Sequence, residues 1–328
     1  MINTCSVYGL GIKVDRPIGG LAGLAAPQSV DVQVSLGSMP PLAGAIPVDA
    51  WREYFVSPDL EDGVASIKVC QSPMGEFFRV AYADGTVIVI DAPGKNVWAT
   101  WPGSATVEDT ATYLLGPALG FVLRLRGIMS LHASAIAIDG RALAFVGPSG
   151  SGKSTMAAAF ACLGRAVMTD DVLALVENEA GFEAQPAYPR VRLWPQSVEG
   201  LFGSENTLPR ITPGWDKRFL HLDGQRFRFQ HEAVPLAAIY FLDECSADSQ
   251  QPCIEPVGRQ DGLMSLVANT SANYLLDKPK RAAEFEALGR LLESVPLRRL
   301  KLNDDFNELP LACELVVADF LHMLSAYA

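Results

Sequence analysis

The stretch Gly147-Pro-Ser-Gly-Ser-Gly-Lys-Ser-Thr155, "GPSGSGKST", fits the phosphate-loop pattern G-x-x-x-x-G-K-[ST], with Gly147, Gly152, Lys153 and Ser154 at the defining places. Glycines keep such a loop clear of side chains, so backbone N–H groups converge on a phosphate at the positive end of the following helix. The whole segment, Gly147, Pro148, Ser149, Gly150, Ser151, Gly152, Lys153, Ser154 and Thr155, is the expected nucleotide-binding loop. Lys153 would reach the outer phosphates of ATP, and the Ser154 hydroxyl would ligate magnesium. A Gly/Ser-rich turn before a helix does not by itself call for Lys153-Ser154.

The flanking sequence supplies the context that such a loop requires. Upstream, "SLHASAIAIDGRALAFVG" reads as two strands joined at Asp139-Gly140, the second feeding into the loop. Downstream, "STMAAAFACLG" reads as a helix stopped by Gly164, and "RAVMTDDVLALV" as a strand pair broken at Asp170-Asp171. Those two carboxylates fall where the strand after the helix points back at the phosphates, and adjacent acids there can divide their work between magnesium and a general base. His132, in "LHASA", is a lone histidine on an apolar strand, a place more often filled by a satisfied core or edge residue.

Outward from this core the chain changes texture. Residues 1–105 hold short apolar runs, "DVQVSLG", "FFRVAYADGTVIVIDA" and "VWATW", separated by turn signals, and read as a β-rich module. Asp84-Gly85 between two β-prone runs predicts a hairpin with a type I′ turn, in which both central residues have positive φ. Residues 106–328 read as the catalytic domain. Its first segment, "VEDTATYLLGPALGFVLRLRG", has acids at its start and arginines at its end, as a helix dipole favours, with Pro117 predicted to kink or split it. Later, "LAAIYFLDE" reads as a central strand, "KRAAEFEALGRLLESV" as a helix, "PLRRLKL" as a strand and "PLACELVVADFLHML" as a terminal helix.

Composition bounds the function. The 328 residues are 49% hydrophobic and 19% charged, enough for a substantial core. A formal net charge of -11 gives no general attraction to nucleic acid or anionic membrane, which argues against a nucleic-acid motor. The most apolar run is broken by Pro117, Arg124 and Arg126, short of a bilayer span, and the N-terminal residues lack a signal-type pattern, so the expected setting is cytoplasmic. The cysteines Cys5, Cys70, Cys162, Cys245, Cys253 and Cys313 show no C-x-x-C pair and read as reduced, mostly buried thiols.

Taken together, His132, the loop and Asp170-Asp171 resemble the catalytic domain of HPr kinase/phosphorylase, a bacterial protein-serine kinase built on a phosphate loop. His132 stands 21 positions before Lys153 and Asp171 stands 18 after it, spacings similar to the family's own. The resemblance implies an α/β fold of the HPr kinase/PEP carboxykinase-like type with the β-rich module in front. It further implies that Lys153 and Ser154 bind phosphate and magnesium, that Asp171 takes the proton of an attacking serine, and that Asp170 and His132 assist. It covers residues 127–235 well and the C-terminal segment loosely. The family's "EIRGLG"-type segment, with its magnesium-binding Glu, has no counterpart; "YPRVRLWPQSVEGL" stands there, with Glu199 as its one acid and hence the remaining metal-ligand candidate. Lys217 and Arg218, in "GWDKRFLHL", form a basic pair able to clamp a nucleotide phosphate.

As a whole the chain is most similar to the shortened HPr kinase homologues of ribosomal-peptide clusters, the lasso-peptide kinases. The shared layout is Tyr8-Gly9, Asp31-Val32, Gly37, Pro40, Leu131-His132-Ala133-Ser134, Asp139-Gly140, the loop, and Asp170-Asp171. That resemblance implies an ATP- and magnesium-dependent kinase acting on the C-terminal serine of a precursor peptide, or on a small protein, with a homo-oligomer compatible with the family. Two other readings fit the residues: a kinase of small-molecule hydroxyls, and a nucleotide-sensing regulator without turnover.

Overall fold

Two tight turns show how the local sequence sets the strand pairing. Tyr8 and Gly9 have φ of 58° and 77°, and Asp139 and Gly140 have φ of 48° and 71°, so each pair forms a two-residue left-handed hairpin turn. The first joins strands Asn3–Val7 and Leu10–Val14, and the second joins Ala133–Ile138 and Arg141–Val146. The computed structural model of the chain describes residues 3–61, 63–212, 215–222, 224–243, 251–303 and 305–327. They form two units, Met1–Ile128 with Ala272–Arg281, and Met129–Ser271 with Ala282–Ala328.

The first unit is built on an 8-stranded sheet in the order Asn3–Val7, Leu10–Val14, Val32–Leu36, Asn96–Thr100, Val87–Asp91, Phe77–Tyr82, Ile67–Gln71, Arg52–Val56. The Asp84-Gly85 hairpin is present, but only Gly85 of the pair has positive φ, at 89°. Its loop is longer than the two residues of a type I′ turn: Gly85 N–H donates to Tyr82 O at 3.0 Å, Tyr82 N–H donates to Thr86 O at 2.9 Å, and the Asp84 carboxylate accepts from Thr86 N–H at 2.8 Å. The Asp84 side chain mimics a backbone turn by bonding two residues ahead, and glycine takes the left-handed position.

The boundary between the units falls after Ile128, so the helical segment that follows Thr106 belongs with the β-rich half and not, as the sequence implied, with the loop domain. The reason is burial. Tyr8 is fully buried and its hydroxyl donates to Leu115 O at 2.9 Å, Phe121 packs edge-on against Phe78 at 5.0 Å, and Arg126 pairs with Asp31 at 3.1 Å. Thr106 caps the helix reciprocally with Asp109. Pro117 does not split the segment; a π-helical turn, Leu114–Ala118, links helix Val107–Tyr113 to helix Leu119–Leu125. A wider turn relieves the clash of the proline ring with the preceding carbonyls.

The second unit centres on a mixed 10-stranded sheet, giving the chain an α/β fold. Strand Arg141–Val146 lies between Ala133–Ile138, antiparallel to it, and Val234–Asp243, parallel to it. Ala166–Thr169 pairs outside Ala133–Ile138, and Leu297–Lys301 pairs in parallel with the far end of Val234–Asp243. The terminal helix is Leu309–Tyr327. Among the described residues no helix is long and apolar enough to cross a membrane. Cys5, Cys70 and Cys313 are buried, whereas Cys162 and Cys253 are exposed, so burial of the thiols is less general than expected; Cys245 lies outside the described residues. Burial pushes the Cys5 thiol up to about 11 and Cys313 up to about 12, which makes both poor nucleophiles.

The loop's own helix, Lys153–Cys162, is fastened to the sheet by Phe160, which stacks on Phe145 at 5.6 Å with both rings fully buried. Phe160→Ala should therefore lower the unfolding free energy of the second unit by about 3–5 kcal/mol, as transfer and cavity costs add. Urea denaturation measures this, and a loss under about 1 kcal/mol would show that the ring is not what holds the helix.

Candidate functional site

Strand directions bring the sequence candidates to one edge. Arg141–Val146, Val234–Asp243 and Leu297–Lys301 are parallel, and two antiparallel pairings make Ala166–Thr169 parallel to them as well. Their C-terminal ends therefore meet the N-terminal end of Ala133–Ile138. The phosphate loop leaves from this edge, His132 precedes it by one strand, and Asp170-Asp171 leave the neighbouring strand, the usual place for a site in an open α/β sheet. An open cavity of about 1190 Å³ runs along it.

The loop glycines have separate reasons. A Cβ on Gly147 would lie 2.6 Å from Ser151 Oγ and 2.9 Å from Leu242 O, so the chain passes too close for any side chain. Gly152 has φ of 92°, a left-handed turn into the helix. No side chain caps that helix, which leaves its first N–H groups directed toward the cavity as anion donors. The Lys153 ammonium donates to Gly147 O at 2.8 Å and Pro148 O at 2.7 Å, which bends it back along the loop. Burial lowers its pKa, with Asp171 and Asp170 pulling the other way.

Asp170 is buried and its carboxylate is fully engaged. Oδ1 accepts from Ser154 Oγ at 2.7 Å and Ser134 Oγ at 2.9 Å, and Oδ2 accepts from the backbone N–H of Arg192 at 2.9 Å. Asp171 sits beside it with φ of 80°, an uncommon backbone for a residue other than glycine and one that recurs at functional sites. Its carboxylate pairs with the Arg192 guanidinium and lies 3.3 Å from His132 Nδ1, which also contacts Asp171 O at 3.0 Å. Two acceptors facing Nδ1 place the imidazole proton there.

The electrostatics follow from this packing. Burial pushes the Asp171 pKa up, but Arg192, then His132 and Lys217, outweigh it and hold the carboxyl below its ordinary value. Burial lowers the His132 pKa despite the neighbouring aspartates, so at neutral pH the ring is a neutral hydrogen-bond donor to Asp171. Lys217 is likewise lowered, by burial first and by Arg192 next. Asp171 is thus ionised, and its side chain, 29% exposed, is open to the cavity.

His132, Ser149 to Thr155, Asp171, Lys217 and Glu199 all line the cavity. Gly147 and Pro148 instead supply the carbonyls that hold Lys153. Lys217 and Arg218 do not act as a pair. Lys217 faces the cavity with its ammonium 4.8 Å above the Trp194 ring. Arg218, the first residue of strand Arg218–His221, is buried and donates to Glu205 O and Asp216 O; it supports the loop and does not line the cavity. Glu199 is exposed on helix Pro195–Phe202, and among the described residues no three His, Cys, Asp or Glu side chains form a metal cluster. Ser154 and Asp170 present two oxygens 2.7 Å apart, and Glu199 lines the same cavity as Ser154.

Arg192 was missed. Its signal is an arginine recurring every second residue on the strand Arg190–Leu193, but nothing in the sequence says that this strand closes on Asp171. Residues of the opposite wall, Asp243, Asn303 and Phe306, were missed too, because they arrive from segments more than 80 positions beyond the loop.

No family model matches the sequence, and no curated protein matches it. Among solved structures, the Hpr(Ser) kinase/phosphatase from Coxiella burnetii is similar at 11% identity and a TM-score of 0.33, over 59% of this chain and 97% of that one. A likeness that faint carries no argument, and the functional reading rests on the site's own geometry.

Asp170→Ala would leave two hydroxyls and one backbone N–H without their acceptor, each costing about 1–3 kcal/mol when buried. Chemical denaturation should show a loss of about 3 kcal/mol or more, with Asp170→Asn losing less because one oxygen remains. An Asp170→Ala protein as stable as the parent would remove Asp170 from its place at the centre of the site.

Proposed function

We propose that this protein is an ATP- and magnesium-dependent kinase that transfers the γ-phosphate to a serine hydroxyl of a peptide, the C-terminal serine of a lasso precursor peptide. The observation that carries the reading is the bond from Ser154 Oγ to Asp170 Oδ1 with the ionised Asp171 held next to it. A phosphate loop alone binds nucleotide. A second carboxylate, unneeded for binding and open to the cavity, points to an acceptor.

Ser154 and Asp170 are the residues that would hold magnesium: a hydroxyl and a carboxylate oxygen 2.7 Å apart at the helix N-terminus suit a hard cation. A cation held there would supply charge neutralisation for the phosphates. The protein's own part is positioning. Uncapped N–H groups and Lys153 fix the phosphates, and Asp171 accepts a hydrogen bond from the acceptor hydroxyl. The serine oxygen attacks the γ-phosphorus, the bond to the β-bridging oxygen breaks, ADP leaves with that oxygen, and the hydroxyl proton passes to Asp171. A carboxylate with a low pKa suits a loose transition state, in which the proton leaves late and the base chiefly orients the nucleophile.

The peptide assignment is supported by the layout from Tyr8-Gly9 through Leu131-His132-Ala133-Ser134 to Asp170-Asp171. The acidic chain supports a partner other than nucleic acid, and the free thiols fit a cytoplasmic setting.

Transfer of γ-labelled phosphate from ATP to a precursor peptide is the direct test. Asp171→Asn should lower kcat by about 10²–10⁴-fold while ATP binding persists, and Lys153→Ala should weaken ATP binding itself. Full transfer by a folded Asp171→Asn protein would remove Asp171 as the base. Label appearing on free serine or sugars but on no peptide would keep the kinase and replace the acceptor.

A further inference from the structure

The phosphate loop has two unlike sides. On the side of Ala133–Ile138 and Ala166–Thr169 lie His132 and Asp171, joined there by Arg192. On the other side, past Val234–Asp243, the segment that follows Leu297–Lys301 brings Leu302, Phe306 and Leu309 into the same cavity, with Asn303 among them. The cavity's lysines and arginine, Lys153, Lys217 and Arg192, belong to the loop and the first side. The second side has the carboxylates of Asp305 and of Asp243, the latter paired with Arg299 at 3.3 Å. Such a wall of apolar groups and acids suits a flat, neutral group with hydrogen-bonding edges better than a phosphate.

Packing fixes this wall. A Cβ on Gly200 would fall 2.3 Å from Phe306 Cγ and 2.4 Å from Cδ1, so helix Pro195–Phe202 closes directly against the ring. Leu302 is buried where it enters the cavity, and the Asp305 carboxylate holds its turn by accepting from Asn307 N–H at 2.9 Å.

Resting on the nucleotide reading above, we propose that Leu302, Phe306 and Leu309 form the subsite for the purine base of the phosphate donor, with the Asn303 amide reading its edge. A nucleotide whose terminal phosphate lies toward Asp171 must extend its base away from that cluster, and the strand order places this wall there. Stacking on an aromatic ring and apolar cover supply affinity that phosphates alone lack.

The test compares ATP with inorganic tripolyphosphate by calorimetry on the full chain. The parent protein should bind ATP at least roughly tenfold more tightly, the scale of one stacked base. In Phe306→Ala that preference should fall toward unity with tripolyphosphate affinity unchanged. Should Phe306→Ala lose tripolyphosphate binding through misfolding, Leu309→Asn, at the start of the terminal helix, makes the same comparison. Equal affinity for the two ligands in the parent, or an unchanged preference in the folded variants, overturns the subsite and leaves the loop reading standing. Failure of the parent to bind tripolyphosphate at all would instead strike the loop reading itself.

Discussion

The second unit depends on one buried carboxylate. Asp170 accepts from Ser134 on the strand before the loop, from Ser154 on the loop's helix, and from the backbone of Arg192 on the strand Arg190–Leu193. Three segments far apart in sequence are thus referred to two oxygens. A buried carboxylate left without donors would be very costly, so the three must assemble together or not at all. The group that organises the fold locally is therefore also bonded to Ser154, a residue that lines the cavity.

Asp171, its neighbour, shows which of two opposed effects prevails. Desolvation favours the neutral acid, whereas Arg192 within contact distance favours the anion, and the anion prevails. Neutral His132 adds a donor without adding charge. The carboxylate is held by a left-handed backbone and by partners on both of its oxygens, so its direction is settled before any substrate arrives. Under the kinase reading proposed above, pre-organisation of this kind would lower the barrier by fixing groups in place instead of by supplying a strong base.

The asymmetry of the loop's surroundings follows from strand order. The lysines, histidine and arginine of the cavity collect at the loop and on the side of the antiparallel pairings, and apolar groups with the carboxylates of Asp243 and Asp305 collect beyond the parallel strands. On the subsite proposed above, an extended ligand with a charged end and a planar end would match that distribution in one orientation.

Much of this was legible in the chain. The loop, the strands joined at Asp139-Gly140, the helix ending at Gly164 and the break at Asp170-Asp171 follow from local chemistry: positive φ, absent side chains, and hydrophobic period. Other features were decided by packing. Thr106 to Ile128 joins the first unit because its apolar face is covered there by Tyr8 and Phe78. Lys217 and Arg218, adjacent in sequence, part company because Arg218 is buried against Glu205 O and Asp216 O while Lys217 faces the cavity. Arg192 meets Asp171, and Phe306 meets Gly200, through contacts that no local pattern encodes. The sequence by itself determined where phosphate could be held, since that needs only a short loop and a helix end. The tertiary structure alone decided which charges surround that phosphate, because ion pairs and cavity walls form between segments that only the folded sheet brings together.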